Sequence, residues 1–223
     1  MNFLHTGPDN APAILMLAHG AGAPMDSRFM NDIAALLAER GLHVARFEFA
    51  YIAGRRTGAG RKPPPRAERV MDEYRQAVEE LNADRPLFIG GKSMGGRVAS
   101  MVAGELFDAG RTAGLVCLGY PFHPPGSPEK LRTAHLKGLA APALICQGTR
   151  DPFGTRNDVA GYDLSPTIDI HWVADGDHDF RPAKGSGATA KENLIAATDA
   201  IADWMKAAIR TSMGRRPGKR GSE

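Results

Sequence analysis

Six short apolar runs alternate with helix-like segments along this chain, and that alternation constrains the fold more than any single motif. The runs are Ile14–Ala18, His43–Phe49, Leu87–Ile89, Leu115–Leu118, Ala143–Cys146 and Ile168–Val173. Ile14–Ala18 is continuously apolar, as a strand covered on both faces must be. Between the runs, Phe29, Ile33, Leu36 and Leu37 recur at helical spacing from about Asp26 to a stop at Gly41. Val70, Met71, Tyr74, Val78 and Leu81 mark a second helix, Arg97 to Phe107 a third, and Leu194, Ile201, Trp204, Met205 and Ile209 a last one. Strands alternating with helices at this spacing predict an α/β fold, a mainly parallel, doubly wound sheet of about six strands flanked by helices. Functional groups in such a sheet gather at the carboxyl ends of the strands.

One domain is expected over residues 1–210, since 223 residues suit a single α/β core. The last ten residues, GRRPGKRGSE, carry four basic residues and one acidic, which accounts for the whole net charge of +3. Residues 211–223 are therefore read as a basic, solvated tail, and neither a nucleic-acid nor a membrane partner is expected. No apolar run approaches the roughly 18 residues of a membrane span. The start, MNFLHTGPDNAP, lacks a basic region followed by an apolar stretch, so a cytoplasmic location is expected. Cys117 and Cys146 lie in apolar runs and read as buried free thiols.

The stretch Gly90-Gly91-Lys92-Ser93-Met94-Gly95-Gly96 admits two readings. Gly91-Lys92-Ser93 ends like a phosphate loop, G-x-x-x-x-G-K-[ST], but the first glycine would fall at position 86, which is proline. Leu87-Phe88-Ile89 also leaves no loop to wrap a phosphate. Gly91-Lys92-Ser93-Met94-Gly95 fits G-x-S-x-G instead, a tight strand-to-helix turn that lifts a serine above the sheet. Small residues must flank that turn, and the helix behind it directs positive potential at the site.

Serine needs a base and a group that orients the base. Asp151 follows the run Ala143–Cys146, and His178 follows Ile168–Val173, in the order serine, acid, histidine. Singly, Asp151 reads equally as a turn residue and His178 as a surface histidine; together with the elbow they make a triad with Ser93. Asp175, Asp177 and Asp179 are too near His178 in sequence to approach its ring and are assigned to loop hydrogen bonding. Two backbone N–H groups, of Met94 and of Ala21 in His19-Gly20-Ala21-Gly22, are the expected oxyanion donors. His19 is read as a brace for that loop, and Lys92 as a bystander. The seven histidines show no metal-ligand spacing, so neither a metal nor a cofactor is expected.

These residues together resemble the α/β-hydrolase fold. More narrowly, the chain is similar to its small lidless bacterial members, related to dienelactone hydrolases and to testis-expressed and chromatin-complex-associated hydrolase-like proteins. The stretches that carry the resemblance are LAHGAGAPMDS, RRTGAGRKPPPRAE, GGKSMGGR, GYPFHPPGSPEKLR, QGTRDPFG and GDHDF. The resemblance implies a serine hydrolase of carboxylesterase type, with Ser93 as nucleophile, Asp151 as acid and His178 as base. Dienelactone hydrolases carry a cysteine nucleophile, so their substrate is not implied for Ser93. Some relatives of the chromatin-associated branch act as scaffolds, which keeps a non-catalytic interaction module as the alternative, beside a thioesterase or amidase using the same triad.

The span from Leu118 to Ala143 is too short for a cap domain. An open site is expected, with His19 and Gly20 beside the substrate and a wall of Tyr120, Phe122 and His123. The opposite wall would be the Arg55-to-Pro65 loop, where Arg55, Arg56, Arg61 and Lys62 offer charge to an anionic substrate. The expected partner is a small-molecule or polymeric ester.

Overall fold

The computed structural model describes residues 1–56, 58, 60 and 63–214; Thr57, Ala59, Arg61, Lys62 and residues 215–223 lie outside it. The described strands are β1 (Phe3–Thr6), β2 (Ile14–Ala18), β3 (His43–Phe47), β4 (Leu87–Lys92), β5 (Gly114–Leu118), β6 (Ala143–Gly148) and β7 (Ile168–Val173). Among them run helices α1 (Arg28–Glu39), α2 (Ala50–Arg56), α3 (Met71–Leu81), α4 (Met94–Asp108), α5 (Arg156–Val159) and α6 (Ala190–Gly214). The strands form one seven-stranded sheet in the order β1-β3-β2-β4-β5-β6-β7, parallel except for β1. The expectation of about six strands thus falls one short. β1 joins the edge antiparallel, with Phe3 opposite Phe47, through long-range pairing that its four residues do not announce.

Burial on both faces follows the period of two. Met16, Ala18, Leu87, Ile89, Leu115, Cys117, Ala143 and Ile145 point to the face covered by α3 and α4. Leu15, Leu17, Phe88, Val116, Leu118, Leu144 and Cys146 point to the face covered by α1 and α6. Cys117 and Cys146 therefore lie on opposite faces, as buried free thiols.

The chain steps outward from β2 to β3, then crosses back to place β4 on the other side of β2. The loops after β2 and β4 leave this switch point in opposite directions, which opens a crevice at the carboxyl ends of the two strands. Both loops meet there because glycine allows it. A Cβ on Gly95 would sit 2.5 Å from the His19 carbonyl oxygen and 2.6 Å from that of Ala18. Neither backbone group can move without shifting β2. Gly95→Ala is therefore expected to destabilise the protein by about 2–4 kcal/mol, a loss of roughly 4–16 °C in Tm. A melting curve unchanged from wild type would show that the close approach does not exist.

Two local expectations are corrected. The stretch YIAGRRTGAGRKPPPRAER is expected to hold a long loop, set at Arg55 to Pro65, but Arg55 and Arg56 lie in α2 and Ala67–Val70 form a turn of 3-10 helix. Glu73 on α3 accepts a hydrogen bond from Ala50 N–H at 2.7 Å, and Arg56 is held by Glu48 and Asp26, both at 2.7 Å. These long-range partners fix a helix that local propensity does not signal. The final helix also runs past the expected boundary at 210 to Gly214; the rest of the basic tail lies outside the described residues. No cap is inserted: residues 119–142 contain neither helix nor strand. Among the described residues no helix is long and apolar enough to cross a membrane.

Candidate active site

The turn from β4 to α4 puts Ser93 at φ 52° and ψ −117°, a conformation that costs a side-chain-bearing residue roughly 1–3 kcal/mol. Two bonds hold the strain: Ser93 N–H donates to the Leu118 carbonyl at 3.0 Å, and its own carbonyl accepts from Arg97 N–H at 3.0 Å. Strand β5 and the first turn of α4 thus grip the serine from either side, leaving its side chain partly exposed above the sheet.

His178 arrives from the loop after β7. Its Nε2 lies 2.9 Å from Ser93 Oγ, and its Nδ1 lies 2.8 Å from Asp151 Oδ2. The carboxylate can only accept, so Nδ1–H donates to it, Nε2 is left as the acceptor, and Ser93 Oγ–H donates to Nε2. Phe153 lies over the imidazole, with ring centroids 4.4 Å apart and planes at 35°. The structure therefore brings together Ser93, His178 and Asp151 from the ends of β4, β7 and β6.

Asp151 is fully buried and surrounded by donors alone. Besides His178, Gln147 Nε2–H donates to Oδ2 at 3.0 Å and Phe153 N–H donates to Oδ1 at 2.9 Å. Gln147 is itself fully buried; it also bonds the Tyr120 and Gly154 carbonyls and accepts from Tyr120 N–H at 2.6 Å. Nothing local signals this role, because Gln147 reads as one more residue of a buried strand.

His19 is also fully buried. Its Nδ1–H donates to the Gly20 carbonyl at 2.6 Å and its Nε2 accepts from Phe49 N–H at 3.2 Å. Burial holds this imidazole below its ordinary pKa. Both ring nitrogens are used by backbone, so His19 ties the loop after β2 to the end of β3 and has no nitrogen left for Ser93. The same loop is held from α2, where Tyr51 OH donates to the Ala21 carbonyl at 3.1 Å. Burial pushes the Tyr51 phenol up to about 12, so it stays a donor at neutral pH. Met94 opens α4, where the first backbone N–H groups have no acceptor within the helix.

The expected wall of Tyr120, Phe122 and His123 is not at the surface. Tyr120 and Phe122 have no exposed area and His123 has 4%. Their loop folds inward because two large aromatic rings gain more from burial than from lining an open cleft. Tyr120 packs at a tilt of 58° against Phe122, with centroids 4.8 Å apart, and its hydroxyl donates to the Arg132 carbonyl at 3.2 Å. His123 N–H donates to the Phe153 carbonyl at 3.2 Å. The run thus lies beneath the Asp151 loop and supports it. On the other side, Arg55 and Arg56 lie on α2, while Arg61 and Lys62 fall outside the described residues.

The acids around His178 serve the loop: Asp177 accepts from Asp179 N–H and Arg181 N–H at 2.8 and 2.9 Å, and Asp175 from Ala183 N–H at 2.8 Å. Among the described residues no group of three or more histidine, cysteine, aspartate or glutamate side chains is placed to hold a metal.

Comparison with known proteins agrees with the fold. Residues 11–206 match a family model described as an alpha/beta hydrolase domain. The fold is similar to a lidless serine hydrolase from Xanthomonas campestris, at TM-score 0.63 and 17% identity, over 96% of this chain and 90% of that one. It is similar to a dienelactone hydrolase from Anabaena variabilis, at TM-score 0.66 and 20% identity, over 92% and 90%. An esterase domain from a Rhodothermus marinus protein is also similar, at TM-score 0.62 and 17% identity, over 91% and 90%.

Proposed function

This chain belongs to the alpha/beta hydrolase domain family, and within it we propose that the protein is a serine carboxylesterase that cleaves ester bonds through an acyl-enzyme on Ser93. The observation that carries the reading is the continuous pair of bonds from Ser93 through His178 to Asp151, at 2.9 and 2.8 Å. Ser93 Oγ attacks the ester carbonyl while His178 Nε2 takes its proton. The N–H groups of Met94 and Ala21, with the amino end of α4 behind Met94, stabilise the oxyanion. His178 then protonates the leaving alcohol, and a water activated by the same nitrogen releases the acid. Asp151 keeps the imidazole in the required tautomer. The substrate is a small-molecule or polymeric ester.

Support for the chemistry comes from the pre-formed geometry, support for the ester from the character of similar folds. The test is labelling of the protein with a fluorophosphonate, mapping of the adduct, and turnover of nitrophenyl esters of graded acyl length beside a thioester and an anilide. An adduct on Ser93 with the ester fastest supports the reading. No adduct, or one on another residue, overturns it; a faster thioester or anilide moves the substrate class. Because Tyr51 fixes the Ala21 carbonyl, Tyr51→Phe is expected to lower kcat/KM about threefold to tenfold, as one lost hydrogen bond predicts. Unchanged kcat/KM would remove Tyr51 from the oxyanion loop's support.

A further inference from the structure

Lys92 precedes the nucleophile, and its side chain is only 8% exposed. Burying an ammonium costs several kcal/mol unless its bonds repay it, so a charge in this position calls for a reason. Its Nζ donates to the backbone carbonyl of His178 at 2.7 Å. Asp179 Oδ1 lies 3.4 Å away, and the Phe29 ring centroid 5.3 Å.

The sheet order shows what that bond spans. Ser93 stands at the end of β4, and His178 follows β7, three strands away. At about 4.8 Å per strand, the base must be carried back over β6 and β5 by roughly 14 Å. The loop that does so is exposed in part and has no helix or strand of its own. Gly119, at the end of β5, leaves the path free: at φ 62° a Cβ there would lie 2.8 Å from the His178 carbonyl oxygen and 3.0 Å from Lys92 Nζ. A Cβ on Gly20 would touch Lys92 Cγ at 3.6 Å, so the stem of the side chain runs past the loop after β2.

We propose that Lys92 is a positioning residue for the reaction: it ties the main chain of the base to the residue beside the nucleophile and so sets the distance between Ser93 and His178. The proposal rests on the serine-esterase reading above. It gives Lys92 a consequence that stability alone does not, because a tie between two reacting groups acts on the chemical step. Binding of substrate is untouched.

The experiment compares Lys92→Met with the unaltered protein in nitrophenyl ester kinetics and in the rate of fluorophosphonate labelling. Methionine keeps the apolar stem and removes the donor. The expected result is a fall of about 10–100-fold in kcat and in labelling rate with KM within about twofold, the cost of a small misplacement of reacting groups. A folded Lys92→Met with kcat within twofold of wild type overturns the proposal.

The pH profile supplies a readout that does not depend on that variant folding. Burial holds the Lys92 ammonium below the ordinary lysine range, against Asp179, Asp151 and Asp177, the anions that face it. A neutral amine makes the weaker bond, so kcat is expected to decline partly at a pH below that of an ordinary lysine. Asp179→Asn removes a facing anion and is expected to move that decline to lower pH. A decline that stays in place overturns the proposal as well. Ser93→Ala separates the two readings: if it retains turnover, the esterase assignment fails, and if it does not, an unaltered Lys92→Met defeats only the role of Lys92.

Discussion

Ser93→Ala is expected to lower ester turnover about 10⁶-fold and to abolish fluorophosphonate labelling, while leaving the fold intact. The expectation follows from geometry: no other hydroxyl stands within hydrogen-bond distance of His178 Nε2 among the described contacts. Water attacking directly would still gain from the oxyanion donors, so a residue of activity over the uncatalysed reaction should remain. The same position makes a second, opposite prediction. Ser93 sits at φ 52° and ψ −117°, where only glycine is unstrained. Ser93→Gly is therefore expected to be as inactive as Ser93→Ala but more stable than wild type by about 1–3 kcal/mol. Thermal unfolding of the two variants side by side checks it. A glycine variant no more stable than the alanine variant would mean that the elbow holds no strain.

Asp151→Asn is expected to lower kcat about 10⁴-fold, more than its similar size suggests. Every group around this carboxylate donates: His178 Nδ1–H and Gln147 Nε2–H at Oδ2, Phe153 N–H at Oδ1. An amide NH2 has no acceptor to meet unless His178 turns its tautomer around. In that tautomer Nε2 carries a hydrogen and cannot take the proton of Ser93. If the imidazole does not switch, the amide NH2 is left facing a donor in a fully buried site, at about 1–3 kcal/mol of stability. The check is paired: kcat on a nitrophenyl ester and the melting temperature. A variant that keeps kcat within tenfold would show that Asp151 does not set the tautomer.

Much of the candidate site could be read in the sequence because its signals are local. Glycines on both sides of Ser93, a β-run before them and a helical pattern after them are properties of neighbouring residues. Asp151 and His178 could be placed because each follows an apolar run, and the end of a strand in a parallel sheet is a position fixed by topology. The aromatic run Tyr120-Pro121-Phe122 misled for the opposite reason. A loop rich in prolines and rings reads as surface, yet whether a ring faces solvent depends on what packs beneath it, here the Asp151 loop and the side of Tyr162.

The sequence alone determined the layered α/β plan, the tight turn at Ser93 and the chain order of Ser93, Asp151 and His178, since periodicity and chain order carry that information. Only the tertiary structure decided what holds those side chains in place. Gln147 tied to Tyr120, Tyr51 behind the loop after β2, the helix at Ala50–Arg56 and the edge strand Phe3–Thr6 all depend on partners tens of residues away. Lys92 changed most. One residue from Ser93, it passes for a chance cation in the sequence. Its bond partner, the His178 carbonyl, lies 86 residues along the chain and comes within 2.7 Å only when the sheet closes that distance.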